Sequence, residues 1–77
     1  MLFLIEYARA EGRMVTFKKF RDQDSRAAQN DRLELELELN RRGIEHEIVL
    51  LEAENEQALR RTHRRYFESL TELVNAF

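Results

Sequence analysis

The chain has no cysteine, no proline and no tryptophan, and only two glycines in 77 residues. Without cysteine there can be no disulfide and no thiolate metal site, and two histidines alone are too few to close a structural zinc centre. The same lack suits a reducing compartment, so a cytoplasmic location is expected. Long apolar runs are missing as well. Leu2 to Ile5 is cut short by Glu6, far from the length of a signal-peptide core or a membrane span, and no membrane association is expected. With no proline, biased linker or internal repeat, residues 1–77 read as a single small domain. A Gly-rich phosphate loop, a nucleophile elbow and a paired catalytic carboxylate pattern are also lacking, and the only serines are Ser25 and Ser69. The sequence therefore lends no support to an enzyme and implies no cofactor.

What is present is enough to fold. Charged residues make up 36% of the chain, but 43% is hydrophobic, with two tyrosines and five phenylalanines, too much for a disordered segment. The core is nevertheless thin, because a domain of this size buries only about 60% of the surface its unfolded chain exposes. Disulfide and metal being excluded, a second copy is the remaining source of burial, and a homodimer is expected. The net charge of −2 is unevenly spread. Arg9, Arg13, Lys18, Lys19 and Arg21 make one stretch basic, whereas Asp31 to Glu56 is strongly acidic. Such polarity reads as self-complementary surfaces, since a nucleic-acid footprint would require a net basic domain.

Residues 2–8 and 14–20 are rich in β-branched and aromatic types and read as a hairpin around Gly12, with the first strand central and the second an edge guarded by Lys18 and Lys19. Asp22, Asp24 and Ser25 are side chains able to cap a helix that runs to about Arg42 and stops at Gly43. Within it Leu33, Leu35, Leu37 and Leu39 alternate with glutamates in the period of a strand. Residue type decides for helix: leucine and glutamate are strong helix formers and the run holds no β-branched or aromatic residue. As a helix it carries two apolar stripes, Leu33 with Leu37 and, nearly opposite, Ala28 with Leu35 and Leu39. Residues 44–52 read as a third strand with an exposed outer edge, a second candidate for subunit contact. Asn55 caps a last helix that reaches close to the C-terminus with Leu59, Tyr66, Leu70, Leu73, Val74 and Phe77 in one sector. The expected fold is α+β in the order β-β-α-β-α, a three-stranded antiparallel sheet in spatial order 2-1-3 with both helices packed on one face.

Candidate sites are few. His46, on the apolar stripe of the third strand, and His63, in the apolar sector of the last helix, could meet if the helices cover that stripe. Together with Glu6 they would then suit a divalent ion, though no spacing enforces the meeting and no metal site is assigned. His63 and Tyr66, with Tyr7 and His46 nearby, could line a cleft for a small ligand or a catalytic step. Arg60, Arg61, Arg64 and Arg65 form a basic flank able to hold phosphate or nucleic acid. Each has a plainer explanation, in core packing or in ion pairs with Glu56, Glu68 and Glu72, and the plainer one is favoured throughout. The reading that results is a non-enzymatic homodimeric protein-interaction module, with the His63/Tyr66 cleft and then nucleic-acid binding as alternatives.

Overall fold

A computed structural model of the chain describes residues 1–68. Strands β1 (Leu2–Ala8) and β2 (Arg13–Phe20) form the hairpin, and a single 3-10 turn, Asp22–Asp24, leads into α1 (Ser25–Arg42). β3 (Glu47–Glu52) follows, then α2 (Glu56–Thr62) and a second 3-10 turn, Arg64–Tyr66. The sheet is antiparallel in the order β2-β1-β3. Class, element order, strand order and the helical state of residues 33–39 are those expected from the sequence.

The hairpin turns on Gly12, whose φ of 64° is in the left-handed region that only glycine enters without strain. One register shift interrupts the β1–β2 ladder: Glu6 opposes Thr16 but Tyr7 opposes Met14, leaving Val15 as the extra residue of a bulge. The bulge rotates Met14 toward the core and turns Val15 outward, where it is 41% exposed. α1 ends as the sequence implies, on Gly43 at φ 70°, with the Gly43 and Ile44 amides donating to the Asn40 and Leu39 carbonyls. Its start does not. No aspartate or serine side chain caps α1; Asp24 instead accepts from the Arg21 guanidinium at 3.1 Å. β3 begins at Glu47 rather than at Ile44, whose amide is occupied in closing α1.

The largest departure is the placement of the helices. Phe3, Ile5 and Tyr7 on one face of β1 pack with Phe17, Val49 and Leu51 beneath Leu59, Tyr66 and Phe67, so α2 and the turn after it cover the odd-numbered face. α1 covers the other face, setting Leu35 over Leu4 and tying Asp31 to Lys18 of β2 at 3.0 Å. The helices therefore lie on opposite faces, not on one. The reason is β1 itself, which is apolar on both sides and buried on both, and a strand of that kind needs cover above and below. One consequence is that Val49 and Leu51 of β3 pack against the α2 layer.

The last helix also stops sooner than its periodicity implies. It breaks at His63, with φ −128° and ψ 50°. Tyr66 meets Tyr7 edge-on at 5.4 Å and Phe67 meets Phe17 edge-on at 5.6 Å. Tyr66 closes the 3-10 turn and Phe67 stands just past it, and from these positions both rings dock on the sheet. Leu70, Leu73, Val74 and Phe77 lie outside the described residues.

Candidate functional site

Two polar clusters sit at the hairpin-turn end of the sheet, one on each face. On the α1 face Glu6, only 4% exposed, is a carboxylate in the central strand. Such a group is costly unless fully bonded. Thr16, directly across the ladder, donates its hydroxyl to Oε1 at 2.7 Å, and His46 Nδ1 donates to Oε2 at 2.6 Å. Burial alone would raise the Glu6 pKa, but the bonds from Thr16 and His46, with the charges of His46 and Arg42, outweigh it and hold the carboxyl below its ordinary value. A carboxylate that fixes the orientation of an imidazole is an arrangement used for general-base and ligating histidines.

On the α2 face Arg65 organises the second cluster. Its Nη2 donates to both Glu47 oxygens at 2.8 and 3.0 Å and to the Tyr66 hydroxyl at 2.6 Å, and the guanidinium carbon stands 4.2 Å from the Tyr66 ring centre. The Arg65 bond holds Glu47 below the usual carboxylate range and raises Arg65 in turn. Burial, joined by the Glu47 charge, pushes Tyr66 up, so its hydroxyl stays protonated and free to hydrogen-bond. Tyr7 and Tyr66 are 6% and 5% exposed and belong to the core.

The residues singled out in the sequence are thus divided. Tyr7, Tyr66 and His63 share the α2 face, with the His63 ring 6.3 Å from that of Tyr66. His46 is across the sheet with Glu6, so His46, His63 and Glu6 do not converge on an ion, and among the described residues no three metal-binding side chains do. The basic flank is largely neutralised: Arg60 pairs with Glu56 and lies 4.4 Å over Phe67, Arg64 pairs with Glu68, and Arg65 with Glu47. Arg61 is exposed. A groove of about 270 Å³ between α1 and the hairpin is lined by Leu4, Thr16, Lys18, Asp31, Glu34 and Leu35. Sequence reasoning missed it, because it depends on α1 crossing the even-numbered face.

Apolar side chains are also exposed on the surface. Leu33 and Leu37, on the outer side of α1, are 53% and 54% exposed. β3 runs Ile48, Val49, Leu50, Leu51, all only half-buried, and among the described residues it pairs with β1 alone. Lys18–Asp31 and Lys19–Glu56 join the basic and acidic stretches within one copy, so part of the charge polarity is spent inside the fold. Among the described residues no helix is long and apolar enough to cross a membrane. No family model, curated protein or solved structure matches the chain.

Proposed function

We propose that this chain is a non-enzymatic protein-interaction module that acts as a homodimer in the cytoplasm. The observation that carries the reading is β3: an edge strand of four consecutive large apolar residues, each half-buried, with no lysine, proline or bulge to discourage pairing. The other edge is guarded in the usual manner, by Lys18, Lys19 and the bulge at Val15. Among the described residues one edge is protected and the other is left bare, an arrangement that suits the bare edge to being covered. The exposed pair Leu33 and Leu37 adds an apolar stripe that can receive a protein partner. The lack of cysteine suits the reducing cytoplasm.

Sedimentation equilibrium of the full chain at micromolar concentration tests the reading. A dimer is expected, and a folded monomer overturns it. The ligand-binding alternative has in its favour the approach of the His63 and Tyr66 rings. The nucleic-acid alternative is weakened by the carboxylate partners of Arg60, Arg64 and Arg65.

A further inference from the structure

Which backbone groups of β3 are open follows from the ladder. Met1 and Ala53 exchange both of their hydrogen bonds, at 3.0 Å each. Hydrogen-bonded and non-bonded pairs alternate along an antiparallel ladder. Phe3–Leu51, Ile5–Val49 and Tyr7–Glu47 are then bonded pairs, while Leu2–Glu52, Leu4–Leu50 and Glu6–Ile48 are not. The amides and carbonyls of Ile48, Leu50 and Glu52 therefore point away from β1.

We infer that the occupant of this edge is β3 of a second copy, running antiparallel, with Ile48 bonded to Leu50 of the second copy and the two Val49 residues facing one another. This deepens the dimer reading and rests on it. Only even-numbered residues offer outward groups, so even pairs with even and the two-fold axis stands normal to the sheet. A pairing centred on Leu50 would set Glu52 beside Ile48. The one centred on Val49 sets Ile48 against Leu50, brings Glu52 opposite His46 and leaves only Glu47, already held by Arg65, beside an apolar residue, Leu51, which is why it is preferred. The product is one six-stranded sheet with both α1 helices on one face and both α2 helices on the other.

The helix layer agrees with the strand layer. At ~100° per residue, Asp31 and Glu34 occupy one flank of α1 and Gln29, Arg32 and Glu36 the opposite flank. Asp31 is bonded to Lys18 of β2, so the first flank looks toward β2 and the second toward the open edge of β3. α1 packs on both β1 and β3. With strands ~4.8 Å apart, the two-fold then sets the α1 axes about 10 Å from each other, a normal distance for packed helices. The helices run antiparallel, and Arg32 of each copy meets Glu36 of the other. All of Gln29, Arg32 and Glu36 are exposed in the single copy.

The experiment is a cross-link. The chain has no cysteine of its own, so Val49→Cys introduces a single thiol, at a non-bonded cross-strand position whose Cα spacing suits a disulfide. Mild oxidation of V49C is expected to give a covalent dimer on a non-reducing gel, while L37C, on the outer side of α1, stays monomeric. If the wild type sediments as a dimer but L37C cross-links and V49C does not, the β3 join is overturned and the dimer reading survives. If the wild type is a monomer, both fall. Charge exchange provides a second route should V49C fold poorly. Arg32→Glu is expected to raise the dimer dissociation constant about tenfold by setting like charges together, and R32E combined with E36R to restore it. No change on R32E would overturn the α1 contact and with it this geometry.

Discussion

Glu6 ties the α1 face together across elements, because it is a buried charge with every partner supplied from elsewhere in the chain. Thr16 comes from β2 and His46 from the segment before β3, with Arg42 at the end of α1 adding a favourable charge. Since its folded pKa lies below the unfolded value of 4.5, Glu6 binds fewer protons folded than unfolded near that pH. The stability it confers is present above the unfolded value and is lost as pH falls through the depressed one. Glu47, held down by Arg65, adds to the same acid limb. Glu6→Gln keeps the shape but not the charge, and is expected to cost about 1–3 kcal/mol at pH 7. Urea unfolding followed from pH 7 to below 4.5 should show a shallower acid limb for E6Q than for the wild type. Equal slopes would mean that the carboxylate contributes no differential proton binding. From the sequence, Glu6 groups with His46 only as a ligand of an ion shared with His63, and the direct pair itself was not legible. Glu6 and His46 are 40 positions apart, and only the β1–β3 register and the choice of face bring them together. What could be read was narrower: a charge in the middle of a central strand requires a buried partner.

Among the elements, α1 shows most clearly what a local pattern can and cannot determine. Its leucine–glutamate alternation has the period of a strand, yet side-chain chemistry outweighs period and the helix forms from Ser25 to Arg42. Its two stripes also separate as the helical angle requires: Ala28 and Leu39 are 0% and 6% exposed, against 53% and 54% for Leu33 and Leu37. Leu39→Ala should therefore cost about 2–5 kcal/mol, whereas Leu37→Ala should change the unfolding free energy by no more than about 0.5 kcal/mol. Chemical denaturation of the two variants decides between the faces; a larger loss for Leu37→Ala would mean that α1 is seated the other way round, and comparable losses that both of its sides are covered. The face each helix takes was harder to see. Both helices offer a stripe that fits a sheet, and nothing within either one says which side it covers. The signal was in β1, where Leu2 and Leu4 alternate with Phe3, Ile5 and Tyr7, and an apolar strand on both sides asks for a layer on each. The break at His63 is likewise followed by long-range contacts, Tyr66 on Tyr7 and Phe67 on Phe17, that no local pattern announces.

At the scale of the whole molecule, the fold is a three-layer arrangement built on very little chain. β1 alone is buried along nearly its whole length, while β2 and β3 are half-covered. Pairing two copies through β3 would turn that half-covered strand into a central one and double the sheet without adding sequence, which is the burial a chain of this size is short of. Hydrogen exchange can read the change at individual amides. Val49 and Leu51 are bonded to β1 in one copy or two, so their protection follows the opening of the fold itself. Ile48 and Leu50 point outward and gain partners only on association. Raising the protein from about 1 to 100 micromolar should slow exchange at Ile48 and Leu50 more than at Val49 and Leu51, with the melting temperature rising alongside because dimerisation and folding are linked. If the melting temperature climbs with concentration while exchange at Ile48 and Leu50 does not, the copies associate through some other surface, and the outer stripe of Leu33 and Leu37 is the next place to look.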